Sequence, residues 1–156
     1  LLMRLLEIKV QTETSLSNKI QLFPGAKELL NSLKGKTKIA LASMNQRRYI
    51  DHILKEKSIQ DFFSITLTAN EVTHPKPNPE IFLKTAQQLE VAPEKCIVLE
   101  DSLFGVKAAK AAKMGCVAVA QGAYSLNELS VVKPDLVVTS LKEKDAMLNL
   151  IGSKNI

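Results

Sequence analysis

The chain runs straight from Cys96-Ile97-Val98-Leu99 into Glu100-Asp101-Ser102, and this stretch limits the possible folds more than any other. A short apolar run bounded by turn signals reads as a strand buried on both faces, and such strands belong to parallel sheets covered by helices. Glu100 and Asp101 then close that strand at its carboxyl end, where open α/β sheets bind their ligands. Two adjacent carboxylates there suit a hard divalent cation such as Mg2+, which prefers oxygen donors. A second reading stays open on this stretch alone: both carboxylates are solvated loop residues, and Ser102 caps the next helix.

The rest of the chain repeats the alternation of strand and helix. Ala26, Leu29, Leu30 and Leu33 fall on one face of a helix, which Gly35 ends. Residues 37–42 read as a strand ending at Ser43-Met44-Asn45, followed by a helix carrying Tyr49, Ile50, Ile53 and Leu54. Residues 62–68 hold a shorter strand. His74-Pro75-Lys76-Pro77-Asn78-Pro79 is a stiff loop, with Asn78 as helix cap and Pro79 at the first helical position. Phe82, Ala86 and Leu89 follow at helical spacing. After Ser102 the pattern predicts a helix burying Phe104, Ala108, Ala111, Ala112 and Gly115, with Lys107, Lys110 and Lys113 opposite. Residues 116–120 and 136–138 read as strands, and 141–150 as a final helix. Strands alternating with helices imply a Rossmann-like parallel sheet with helices on both faces, an α/β fold. Residues 1–20 read as a helix, although Leu6, Ile8 and Val10 alternate as a strand would. Phe23-Pro24-Gly25 divides this lead-in from a main domain spanning 21–156.

Composition narrows the function classes. The chain has 156 residues, is 46% apolar and 24% charged, and carries a net charge of +5. Its lysines are scattered and aromatic residues make up only 4%, which argues against a nucleic-acid partner. No apolar run is long enough to span a membrane, and the first residues lack the features of a signal peptide. Cys96 and Cys116 each open an apolar run and read as buried, reduced thiols, so a cytoplasmic location is expected.

Three spots share one edge of the predicted sheet. Ser43 ends one strand, Asp101 ends another, and Lys76 lies in a loop between a strand and a helix. A hydroxyl beside backbone N–H groups binds a phosphoryl oxygen, a lysine between prolines supplies a fixed positive charge, and paired carboxylates hold a metal. These are the parts that phosphoryl transfer needs. Taken singly, each residue has a plainer reading: Ser43 as a helix cap, Lys76 as an exposed loop lysine, Asn45 as a turn residue.

Taken together, these words resemble the haloacid dehalogenase-like hydrolases, in particular their β-phosphoglucomutase-like branch of sugar-phosphate phosphatases and mutases. The matching stretches are Phe23-Pro24-Gly25-Ala26, Ile39-Ala40-Leu41-Ala42-Ser43, Lys76-Pro77-Asn78-Pro79-Glu80-Ile81-Phe82, and Val98-Leu99-Glu100-Asp101-Ser102 with Gly105. The resemblance implies that Ser43 and the Met44 N–H bind the transferring phosphoryl group. Lys76 would neutralise that group and orient an attacking aspartate, and Asp101 with Glu100 would ligate Mg2+. Asn45 and Arg47 are the positions that would reach the far end of the substrate, a small phosphorylated metabolite.

The chain departs from that family in one respect. The family's nucleophile is the first aspartate of an Asp-x-Asp motif on the first strand; this chain has no such motif, and its first aspartate, Asp51, falls in a predicted helix. Residues 1–20 therefore resemble the tail of a helical cap domain, the nucleophile strand is expected to lie outside this chain, and the chain alone is expected to be inactive. The family's nucleophile strand lies between the strands that correspond to 37–42 and 96–99. Its slot is expected to be filled by a missing segment, a partner strand or residues 6–10, because buried unpaired backbone groups cost roughly 1–3 kcal/mol each. Alternatives to a phosphatase are a β-phosphoglucomutase-type isomerase and a non-catalytic binding protein that has lost its nucleophile.

Overall fold

The structure, a computed structural model, describes residues 20–153. The expectations for residues 6–10 and for a cap tail fall almost wholly outside that range. Among the described residues six α-helices and five strands follow one another in the order α1 (Ala26–Leu33), β1 (Ala40–Ala42), α2 (Arg47–Glu56), β2 (Ile65–Leu67), α3 (Glu80–Leu89), β3 (Ile97–Glu100), α4 (Leu103–Ala111), β4 (Gly115–Val119), α5 (Leu126–Val131), β5 (Leu136–Val138) and α6 (Lys144–Ser153). The five strands are those read from the sequence. Residues 37–39 do not join β1, which shortens it to three residues.

The strands form two parallel ladders. In one, β1 pairs with β2 with Leu41 opposite Thr66. In the other, β4 lies between β3 and β5, with Leu99 opposite Val117 and Ala118 opposite Val137. Among the described residues no ladder joins β1 to β3.

Side-chain alternation along the strands explains why the two ladders still form one layer. Ile39, Leu41, Ile97, Leu99, Val117 and Val119 face one apolar cluster, shared with Leu29, Leu30, Ile50, Met147 and Ile151 of α1, α2 and α6. Ala40, Ala42, Cys96, Val98, Cys116 and Ala118 face a second, shared with Phe82, Ala86, Val106, Ala109 and Leu129 of α3, α4 and α5. Both clusters run across the gap between β1 and β3. Fully burying one side chain such as Phe82 or Leu29 contributes roughly 1.5–3 kcal/mol, so these layers dominate cohesion across the gap. Cys96 and Cys116 are buried, and neither takes part in a disulfide among the described residues.

Local punctuation sets the element ends. Lys34 caps α1 by donating its N–H to the Leu30 carbonyl, and Gly35 follows at φ +75°, a backbone angle that favours glycine. Gly25 opens the same helix at φ +92°, and a Cβ there would come within 2.6 Å of the Leu141–Lys142 backbone. That close approach ties the start of α1 to the segment before α6. Ser102 caps α4, its hydroxyl accepting from the Gly105 N–H. The buried stripe of α4 is Gly105, Val106, Ala108, Ala109 and Ala112, not the stripe through Phe104. The cap at Ser102 places Gly105 against the sheet, and Phe104, one residue round the helix, is 53% exposed. Helix α5 was not read from the sequence, although Ser125-Leu126-Asn127-Glu128 forms a full capping box and is a recognisable start signal. No helix among the described residues is long and apolar enough to cross a membrane.

Candidate active site

The site is built where the strands end. Glu100 is the last residue of β3, and Asp101 and Ser102 follow it into α4. All three are buried. Glu100 is held on both of its oxygens: Oε1 accepts from Lys76 Nζ at 2.8 Å, while Oε2 accepts from the Ser102 hydroxyl at 3.0 Å and the Ser102 N–H at 3.3 Å. Its carboxylate lies against Gly105, where a Cβ would come within 1.9 Å of Glu100 Cδ. Asp101 sits in a comparable cradle, since a Cβ on Gly122 would lie 2.3 Å from its Oδ2. Gly122 follows β4, so two neighbouring strand ends shape the space around Asp101.

Lys76 is not the exposed loop lysine of the plainer reading. Its side chain is 4% exposed and that of Glu100 fully shielded, and its Nζ also lies 5.1 Å from the centre of the Phe82 ring. Desolvating an ammonium is tolerable only when it is well paired, and Glu100 supplies the pair. The Lys76–Pro77 peptide is cis.

The loop that carries Lys76 is anchored at its far end by Glu80. The Glu80 carboxylate accepts from the Thr73 N–H, the His74 N–H and His74 Nδ1, and pairs with Lys84 at 2.7 Å. The Lys84 ammonium and those two N–H groups hold its carboxyl at about 2, well below the ordinary 4.5. A depressed carboxyl pKa stabilises the folded state above the ordinary value, and that stability is lost as pH falls. We expect Glu80→Gln to lower the melting temperature at pH 6–7, and the gap to the unaltered chain to close as pH falls from 4.5 towards 2. A gap independent of pH in thermal melts would contradict the assignment. Pro79, just before Glu80, already has helical backbone angles, and Asn78 Oδ1 accepts from the Glu80 N–H at 3.0 Å, the bond expected of the residue that caps α3.

Ser43 follows β1 and is buried, its N–H extending the ladder to the Leu67 carbonyl at 2.9 Å. Its hydroxyl accepts from the Asn45 N–H and Nδ2 at 3.2 and 3.3 Å. It does not cap α2, whose cap position is Gln46. Met44 packs on the second apolar cluster. The turn after β2 braces this loop: the Ala69 N–H donates to the Asn45 carbonyl, and the Arg47 N–H to Asn70 Oδ1. The Arg47 guanidinium is engaged by protein groups, donating to the Thr66 carbonyl at 2.7 Å and pairing with Glu71 at 3.0 Å. Glu71 also accepts from the Thr68 N–H and hydroxyl. Burial alone would raise the Glu71 carboxyl pKa, but Thr68 and Arg47 override it and hold the group below its ordinary value.

The structure thus brings Lys76, Glu100 and Asp101 together, and ties Ser43 and Asn45 to the turn after β2 that leads towards Lys76. It commits Arg47 to that turn. The sequence reading missed Glu71 and Gly122 and gave Glu80 no role in holding the loop, although Thr68-Ala69-Asn70-Glu71 is a capping box visible in the sequence. Among the described residues no three His, Cys, Asp or Glu side chains cluster as a metal cage. A Mg2+ ion needs less, because it keeps several waters and takes one or two carboxylates together with substrate oxygens. The Gly122 cradle and the hard oxygens of Asp101 fit that demand.

A parallel α/β layer with helices on both faces, carrying a buried acid–ammonium cluster at a strand end, defines a Rossmann-like core. The chain belongs to the haloacid dehalogenase-like hydrolases, whose family model matches residues 4–119. A phosphorylated carbohydrates phosphatase of Thermotoga maritima is 35% identical over 130 residues, covering 77% of this chain and 59% of its own. Fructose-1-phosphate phosphatase YqaB of Escherichia coli is 33% identical over 92 residues, covering 59% of this chain and 49% of its own. Among solved structures, a putative β-phosphoglucomutase from Thermotoga maritima superposes with a TM-score of 0.79 at 30% identity, covering 87% of this chain and 63% of that one. The chain therefore spans about half to three-fifths of the length of these curated relatives.

Proposed function

We propose that this chain forms the phosphate-handling core of a Mg2+-dependent phosphatase acting on a small phosphorylated metabolite, a sugar phosphate, through an aspartyl-phosphate intermediate. The observation that carries this reading is the buried Lys76–Glu100 pair beside Asp101 at the end of β3. Transfer of a phosphoryl group depends on positioning and on neutralising charge, and this cluster supplies fixed groups of both signs in a water-poor setting.

Lys76 holds a phosphoryl oxygen by its ammonium, with Glu100 fixing where that ammonium stands. Ser43 and the Met44 N–H hold a second oxygen, and Asn45 and Arg47 lie nearest in sequence to contact the remainder of the substrate. Asp101, with Glu100 as the second carboxylate of the pair, holds the cation; Mg2+, when bound, offsets negative charge on the phosphoryl group. The attacking aspartate comes from outside this sequence, which has no Asp-x-Asp motif. The gap between β1 and β3, flanked by both apolar clusters, is a place that a strand bearing such a residue would fit.

Phosphate release from a panel of sugar phosphates, with and without Mg2+, tests the proposal on two proteins: the 156-residue chain and the product of the full reading frame. We expect turnover only from the longer product, and its loss by about 10²-fold or more on Asp101→Asn, as for removal of one electrostatic stabiliser. Turnover by the 156-residue chain that Asp101→Asn abolishes would refute the external nucleophile. A longer product that binds phosphate without releasing it from any ester would refute the phosphatase.

A further inference from the structure

One side chain outside the site touches both ends of the loop that delivers Lys76. Lys84 lies on α3, one turn beyond Glu80. Its Nζ donates to the Glu71 carbonyl at 3.0 Å and pairs with Glu80 Oε1 at 2.7 Å. Glu71 opens the span that leads to Lys76 and Glu80 closes it, so one ammonium bridges the span's two feet. Between them, Glu80 pins the Thr73 and His74 N–H groups at 3.0 and 2.8 Å. The Asn78 N–H donates to the Pro75 carbonyl, closing a turn around Lys76 itself. The backbone on both sides of Lys76 is therefore fixed by contacts that involve neither substrate nor metal.

We propose that Lys84 and Glu80 form a clasp that positions Lys76, and that they set the affinity of the site for a phosphoryl group without contacting it. This rests on the reading of Lys76 as a phosphate ligand. The physical ground is geometric. A lysine stem has four rotatable bonds, and its ammonium stays at one point only if its own backbone is held. Displacing a reacting or binding group by about 1 Å costs up to about 10²-fold in rate, so even a partial loosening is measurable. The same two feet also bear on the other half of the site. The Glu71 carbonyl carries the clasp, while the Glu71 carboxylate holds Arg47 and Thr68 beside the Ser43 loop. Lys84 is itself 43% exposed at its side chain, so its removal leaves the apolar core unaltered.

The test uses inorganic phosphate as probe, with Mg2+ present, and measures its dissociation constant by titration calorimetry. The variants are Lys84→Met, Glu80→Gln and Lys84→Arg. Amide exchange at Thr73 and His74 is read in parallel, and thermal melts monitor the fold. We expect Lys84→Met and Glu80→Gln each to weaken phosphate binding by about fivefold to tenfold, with faster exchange at both amides. Lys84→Arg is expected to restore both readouts, since a guanidinium can reach the same carbonyl and carboxylate. Faster exchange with unchanged phosphate affinity would overturn the clasp's role in positioning and leave Lys76 as a phosphate ligand. Unchanged exchange in Lys84→Met would overturn the clasp itself. Absence of phosphate binding by the unaltered chain would overturn the reading of the site, and the positioning role with it.

Discussion

Lys76→Met is expected to destabilise the chain by about 3–5 kcal/mol, the cost of leaving a buried carboxylate without its partner. Glu100 is fully shielded and already accepts from Ser102, so it cannot turn to water for a replacement. At a urea slope of about 1–3 kcal/mol/M the unfolding midpoint should fall by roughly 2 M with the slope unchanged. The loss belongs to the orphaned charge more than to the pair, because a buried ion pair roughly balances its own desolvation. Lys76→Met combined with Glu100→Gln should therefore recover most of the stability while leaving phosphate binding absent. A single variant that loses less than about 1 kcal/mol would place the pair in the class of solvent-screened surface bridges. A double variant no more stable than the single would show that the loop, not the charge, carries the effect.

Gly105→Ala is the second large effect. The added methyl would meet the Glu100 carboxylate well inside contact distance, at 1.9 Å from Cδ and 2.1 Å from Oε2. Overpacking a core by one methyl commonly costs about 1–3 kcal/mol when neighbours can give. Here the neighbour is a carboxylate fixed by Lys76 and Ser102, so it moves only by breaking those contacts, and the expected loss is about 3 kcal/mol or more. Alanine favours the helix interior over glycine by roughly 1 kcal/mol, which makes the test sharp, because propensity alone predicts a gain. Urea unfolding decides between the two, and a stabilised Gly105→Ala chain would mean that Glu100 does not rest against the helix. The matching crowding at Gly122 bears on Asp101 by the same physics.

What the sequence made legible follows from what is local. The run Cys96–Leu99 gives a strand buried on both faces, because alternate residues enter different apolar clusters. The helix of Ala26, Leu29, Leu30 and Leu33 was visible because one periodic face is enough to specify it. The shortening of β1 was not, since Thr37 and Lys38 have strand-compatible chemistry and only pairing with β2 decides where the ladder stops. Three of the four motif words placed Ser43, Lys76, Glu100 and Asp101 at or after strand ends. They could not show that Lys76 reaches Glu100, a contact between residues 24 positions apart. Arg47 is named for the substrate by the resemblance and its place after Ser43, and no local pattern shows that its guanidinium also meets the Thr66 carbonyl and Glu71. Gly105 stood among the motif residues, yet its reason is the volume of a side chain that only the fold brings there. Glu80 stood in a motif word, and its hold on Thr73 and His74 depends on a loop path that no periodicity predicts.

The seam between the two ladders has a mechanical consequence. Apolar layers press surfaces together without a preferred direction, so they set how far apart the ladders lie and resist sliding only weakly. Lys76 and Glu100 form a directional contact across that seam, in the manner of a dowel between two boards. The alignment of the Ser43 loop with Asp101 is then a matter of lateral registration, and the buried charge pair resists shearing of the two halves of the sheet past one another.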